Sequence, residues 1–236
     1  MQHTSRSQLF AGIRAELPIT LGVLPFGLIY GVLAISAGMS PQLAVASSMI
    51  VFAGSAQFIG AQLIGAGAPA LVIWATTFIV NLRHLLYSAA MAPHAAHLPR
   101  RWQLLLGYLL TDEAYVVTAV HYDHDHTPLE NRHYFWLGAG LTLWVSWNLS
   151  TLAGVLFGTQ VPASWSLDFT LALTFIGMVV PLCKYRPNLA AALVAGAVGV
   201  LTNAWPYRLG LMAAALSGIV AGVLLERWMS DEESQG

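Results

Sequence analysis

The sequence predicts an all-α, polytopic membrane bundle of seven or eight segments, some of them broken or re-entrant. Three observations carry this. Of 236 residues, 57% are hydrophobic and only 9% are charged, whereas a typical soluble domain has about 25% charged residues. The charges also avoid long stretches: residues 17 to 82 contain no Asp, Glu, Lys or Arg, and neither do residues 133 to 167. A hydrocarbon core of about 30 Å needs roughly 20 apolar residues in a helix, so the first stretch alone holds two or three segments. The mean hydropathy of +0.65 leaves too little polar surface to coat a soluble globule.

The composition excludes several classes. A net charge of −1 gives no basic footprint for nucleic acid. A single cysteine, Cys183, excludes an intrachain disulfide framework and a Cys-rich metal centre. No A-x-A-like site follows the polar start with Arg6 and Arg14, so the first segment reads as a retained span. Residues 1–236 read as a single transmembrane domain, and 229–236, with Asp231, Glu232 and Glu233, as its polar tail.

In order, the segments run Leu17–Ala37, Pro41–Gly65, Pro69–Met91, Trp102–His121, Tyr134–Gly158, Leu167–Cys183, the short Leu189–Thr202, and Leu209–Trp228. Trp102, Trp136, Trp165, Trp205 and Trp228 fall at segment ends, where aromatic belts form. The second segment is interrupted by Phe52-Ala53-Gly54-Ser55, and Asn203-Ala204-Trp205-Pro206 follows the seventh. Breaks at matching places in two halves point to a transporter site. An inverted repeat is one reading of them. Ordinary membrane-helix Gly and Pro, with a plain loop at Asn203, is the other.

Orientation stays open at this level. Eight full crossings with the N-terminus inside place six Lys or Arg in the cytoplasm against three outside, but put Arg100 and Arg101 on the wrong side. A re-entrant second segment brings that pair inside and sends Arg132, Lys184 and Arg186 out.

Ionisable groups inside a bilayer are costly, so each is a functional candidate. The third segment carries Asn81-Leu82-Arg83-His84, with Tyr87 a turn beyond. Arg83 either snorkels to the interface, pairs with an acid or holds a carboxylate. The fourth segment carries Thr111-Asp112-Glu113. Adjacent acids point about 100° apart on a helix, so both can hardly face lipid. They either lock the third and fourth segments together through Arg83 or serve proton coupling, for which a group that gains and loses a proton is required. His84 joins Asp112 and Glu113 as a proton-coupling candidate. Phe52, Gly54, Ser55 and Gln57 at the break, with Asn81 and Arg83, are the candidate substrate-binding residues; a helix start there suits a carboxylate. The other reading of the break is small-residue packing, as for Trp147, Asn148, Thr151 and Gly154 in the fifth segment. Asp168 reads as a cap or interfacial residue.

The His121-Tyr-Asp-His-Asp-His126 run lacks a recognised metal-site spacing, so no metal is expected there. No phosphate-cradling glycine loop, G-x-S-x-G or H-E-x-x-H is present. The chain therefore reads as a non-enzyme with no cofactor.

The blocks Pro25-Phe26-Gly27, Val51 to Phe58, Asn81 to Tyr87 and Thr111-Asp112-Glu113, with Trp147-Asn148 and residues 168 to 181, resemble the AzlC family over nearly the whole chain. That resemblance implies a multi-pass protein of the bacterial cytoplasmic membrane. It further implies export of branched-chain amino acids (valine, leucine, isoleucine, in some members methionine), driven by the proton motive force. It implies action with a small AzlD-type membrane subunit. A passive channel for another small neutral solute is the main rival reading.

Overall fold

The computed structural model describes residues 4–124, 129–157, 183, 185–205 and 209–235. Among them it is helical, in two compact units: residues 1–65 with 73–161, and residues 66–72 with 162–236. The sixth predicted segment and Asp168 lie outside the described residues.

The first unit is built on α1 (Ser5–Ser36) and α8 (Leu129–Phe157). Thr4 caps α1 by accepting the Ser7 amide. The two helices pack along glycines: Gly12 of α1 meets Phe135 and Ala139, Gly27 meets Trp147 and Ser150, and Gly31 meets Thr151 and Val155. Both numbers rise together, so α1 and α8 are parallel. A Cβ on Gly31 would come within 2.7 Å of the Val155 amide nitrogen, which is why glycine stands there. This is the close small-residue contact that membrane helices use in place of a hydrophobic drive. Thr151 and Gly154 belong to this packing face, as the sequence allowed.

The second predicted segment does not cross. Ser40 caps α2 (Pro41–Val51) through the Leu43 amide. From there α2 runs antiparallel to α1: the Tyr30 hydroxyl reaches the Ala44 carbonyl, and Ser48 donates to Thr151 at 3.2 Å. The chain reverses at Phe52 and Ala53, and α3 (Gly54–Gly65) climbs back parallel to α1. Phe58 lies edge-on to Tyr30 at 5.8 Å and Gly65 rests against Ala37. α2 and α3 thus form a hairpin entered from the distal end, where α1 finishes. With 11 and 12 residues, its arms are roughly 17 Å long, half of a bilayer.

The next helices, α4 (Ala70–Asn81) and α5 (Arg83–Ala95), form one long apolar run with a kink at Leu82. The amides of Leu82 and Leu85 bond three residues back, to Ile79 and Leu82, which tightens the helix at the kink.

The fourth predicted segment is also a hairpin. α6 (Arg100–Tyr108) runs parallel to α8, with Trp102 against His133 at 4.7 Å and the Trp144 indole donating to the Tyr108 hydroxyl at 2.8 Å. The chain turns at 109–111, and α7 (Asp112–His124) runs back. His121 stacks on Phe135 at 3.6 Å, and Tyr122 donates to the Arg132 carbonyl. α5 lies parallel to α7: Arg83 faces Asp112, Tyr87 stacks on Tyr115 and His94 meets Tyr122. α5 therefore ends, and the α6–α7 hairpin opens and closes, at the proximal end, where α1 begins.

Among its described residues this unit has three helical runs long and apolar enough to cross a membrane and two opposed half-length hairpins. They explain why α1 and α8 are parallel, since a single hairpin between them would make them antiparallel. They also gather Arg6, Arg14, Arg100, Arg101 and Arg132 at the proximal end, while the turns after Ser36 and Gly65 carry no charge. Trp136, expected at an interface, is instead buried beside Leu106 and Phe135.

The second unit is a helical hairpin of α9 (Arg186–Leu201) and α10 (Leu209–Gln235). Gly218 packs on Ala191 and Ala195, and Gly222 on Ala191 and Pro187. Thr202 donates to the Val198 carbonyl and lies within reach of the Gly210 carbonyl. Asn203 to Trp205 are turn residues between the two helices, the plain-loop reading.

Candidate functional site at the hairpin tips

The two hairpin tips meet at mid-depth. Phe52 closes α2 in the left-handed region, φ 42° and ψ 49°, a conformation that costs a non-glycine residue of order 1 kcal/mol or more. Its ring packs on Tyr108 from the other tip at 6.0 Å, and the Tyr108 hydroxyl donates to the Met49 carbonyl. That carbonyl lies in the last turn of α2, where helix carbonyls lose their own partners. Tyr108 thus ties the second hairpin to the first.

Gln57 holds the first tip together. Its Oε1 accepts the Ala53 amide and the Trp147 indole, both at 3.2 Å, satisfying the backbone group that the chain reversal frees. The same Trp147 ring lies against Gly54, where a Cβ would approach it to 3.0 Å, and stacks on Tyr30 at 6.1 Å. So Gly54 is a packing glycine and Gln57 a positioning residue. These contacts account for Gln57 Oε1 and for the absence of a side chain at position 54.

What does need explanation is the set of buried polar atoms left without partners. At the two discontinuities they are Ser55 Oγ and Gln57 Nε2 at the first tip, and Asn81 Oδ1, Arg83 Nε and His84 Nε2 at the kink; elsewhere both Glu16 carboxyl oxygens, Thr118 Oγ1, His133 Nδ1, Trp136 Nε1 and Asn148 Oδ1 are also without partners. Buried polar groups are rarely left so. Those at the discontinuities come from residues that the sequence marked.

At the second tip, Thr111 caps α7: its hydroxyl accepts the Ala114 amide at 3.4 Å. Asp112 and Glu113 fill the first turn of α7, where the helix dipole favours acids. They are not mid-helix residues, as a straight fourth segment would have made them. Asp112 pairs with Arg83 at 3.1 Å. The pair answers the question about Arg83: it binds an acid on a neighbouring helix. Arg83 parts from His84 and Tyr87, its neighbours in the sequence. Arg83 turns to Asp112, while His84 lies 6.0 Å from the Tyr87 ring, which stacks on Tyr115.

The residues at the first tip and those around Arg83 converge through the second hairpin, which touches both. Sequence reasoning missed Tyr108, Tyr30 and Glu16. For Tyr108 a signal exists, because Thr111-Asp112 is a helix-start pattern that places a break just before it. Glu16 is fully buried in α1 with both carboxyl oxygens unpartnered. Its signal is the four-residue spacing of Gln8, Gly12, Glu16 and Thr20, all buried on one face.

Comparison with known proteins places the chain among membrane proteins. The AzlC protein family model matches residues 18–161. A protein named "Uncharacterized membrane protein" from Archaeoglobus fulgidus is 30% identical over 97% of this chain and 99% of its own. The "Inner membrane protein YgaZ" of Escherichia coli is 27% identical, over 90% and 87%. The "Branched-chain amino acid transport protein AzlC" of Bacillus subtilis is 29% identical, over 72% and 68%. No solved structure matches. With its apolar spans, this chain is a multi-pass membrane protein, and it belongs to the AzlC family.

Proposed function

We propose that this chain is a secondary transporter that exports branched-chain amino acids across the cytoplasmic membrane, driven by the proton motive force. The observation that carries the proposal is the set of unpartnered polar atoms at two helix discontinuities, in the part of the membrane where such atoms are most costly. The name of the Bacillus subtilis relative supports the substrate class. Valine, leucine and isoleucine are the expected substrates, with methionine, of similar bulk and polarity, beside them.

A hairpin tip offers a zwitterion both poles. The helix start at Gly54 and Ser55 faces a carboxylate with amide hydrogens, and the Gln57 amide nitrogen adds a donor. Glu113, the acid at the second tip that makes no salt bridge among the described residues, takes the ammonium. Phe52 supplies apolar surface for the side chain. Because Arg83 holds Asp112, Glu113 is the acid left to exchange a proton. A proton arriving on it weakens its grip on the ammonium and releases the substrate.

The proximal end is assigned to the cytoplasm, since five arginines of the first unit gather there. A passive channel is the weaker reading, because Phe52, Tyr108 and Met49 block the meeting of the tips. A small AzlD-type subunit is the proposed partner. The Ala70–Ala95 run is little buried in its most apolar window and exposes Trp74, Phe78, Leu85 and Leu86 for such a subunit to cover.

Efflux from cells preloaded with a valine dipeptide tests the proposal, comparing this chain alone, this chain with the small subunit, and neither. Faster efflux with both, abolished by an uncoupler, is expected. Efflux equal to that of empty cells, with both chains in the membrane, would refute it.

A further inference from the structure

We propose that Glu16 and Glu113 form a proton-sharing carboxyl pair, and that the proton leaves it toward the proximal end along the face that α1 turns to α7. This rests on the transport reading above, since it supplies the proton route of that same site.

Glu16 is 0% exposed, and neither of its carboxyl oxygens has a hydrogen-bond partner. Burying an ionised carboxyl without a cation or donors costs several kcal/mol; a proton removes that cost. Glu113 faces Glu16 from α7: the register set by Gln8 against His121 on these two antiparallel helices brings position 113 to position 16. Two carboxyls in each other's field titrate as one system and readily hold a single proton between them.

Polar side chains mark one direction from the pair, toward the proximal end. α7 is antiparallel to α1, and eight residues before Glu16 and eight after Glu113, Gln8 Oε1 lies 3.3 Å from His121 Nε2. The two rungs, Glu16 with Glu113 and Gln8 with His121, are about 12 Å apart along the helices. Thr118, one turn before His121 on α7, is fully buried with its hydroxyl unpartnered. On the other side, α8 contributes no acid or base from 134 to 157 and brings Phe135 and Ala139 against Gly12. Asp112 and Arg83, beyond Glu113, hold each other. Arg14 is on the exposed side of α1.

The step is a simple transfer. A proton taken up by Glu113 passes to Glu16: one carboxyl O–H bond breaks, the other forms, and the pair keeps its charge. Loss of the proton from Glu16 toward Thr118, His121 and Gln8 then delivers it to the proximal side. Glu113 is left ionised for the next ammonium.

Infrared spectroscopy of the full chain in lipid, titrated with pH, tests this without any transport. The carboxylic-acid C=O band of the wild type is expected to lose intensity in Glu16→Gln, and the midpoint of what remains to move by a unit or more. Glu113→Gln, read through the Glu16 band, gives the reciprocal result should Glu16→Gln fail to fold. A wild-type band unchanged by either substitution, or a midpoint that stays in place, overturns the pair. A chain that moves no amino acid yet shows the shifted midpoint keeps the pair and refutes the transport reading, so the two failures are distinct.

Discussion

Arg83 and Asp112 form an ion pair, 3.1 Å from guanidinium to carboxylate, between the kinked helix α4–α5 and the tip of the α6–α7 hairpin. The pair fixes which of the two adjacent acids is held and which is left to act. It also anchors the tip: with Tyr87 on Tyr115 and His94 on Tyr122, α5 grips α7 along its length.

From this follows a split between the two acids. Asp112→Asn leaves Arg83 unpaired; it is expected to slow transport about tenfold or more, yet leave its dependence on a pH gradient intact. Glu113→Gln is expected to remove that dependence. Rates in vesicles with and without an imposed gradient check both. Full gradient dependence in Glu113→Gln removes Glu113 from the coupling.

The hairpins give a topological test. In a Cys183→Ser background, single cysteines at His97 and His124 are expected to label from the same side of the membrane as one at Ser5. Cysteines at Gly38 and Gly67 are expected to label from the other side. Labelling of His97 and His124 from opposite sides would make α6–α7 a crossing and dismantle the opposed hairpins.

Trp147→Phe deletes one of the two hydrogen bonds to Gln57. A loss of about 1 kcal/mol in stability is expected, while Gln57→Leu, which strands the buried Ala53 amide, costs about 1–3 kcal/mol. Thermal unfolding in detergent ranks the two variants. Gly31→Leu, forced between α1 and α8, is expected to turn a monodisperse size-exclusion peak into aggregate.

Much of this was legible beforehand, for reasons that particular residues make clear. The break at Phe52 to Gly54 announced itself through Gly-Ser in an apolar run, and Arg83 and the Asp112-Glu113 pair through sheer rarity of charge. The hairpins were not legible as such. A run of 25 apolar residues folded in half contacts the same lipid and protein as one that crosses, so hydropathy does not separate Pro41–Gly65 from a span. Only tertiary contacts such as Phe58 on Tyr30 do so. The arginine count carried the information in latent form: one hairpin left Arg132 on the wrong side, none misplaced Arg100 and Arg101, and two place them all together. Glu16 was hidden by position, since it stands at the edge of the uncharged stretch and reads as part of a polar start. Its burial comes from the glycine contacts that bring α8 onto α1.

The central claim is that the amino acid binds at the tip of the first hairpin. Substrate protection of a single cysteine placed there tests it most directly. In the Cys183→Ser background, Ser55→Cys reacts with a small thiol reagent, and saturating leucine is expected to slow that reaction several-fold, while lysine leaves it unchanged. A reaction rate indifferent to leucine, in protein still able to transport it, would place the substrate elsewhere.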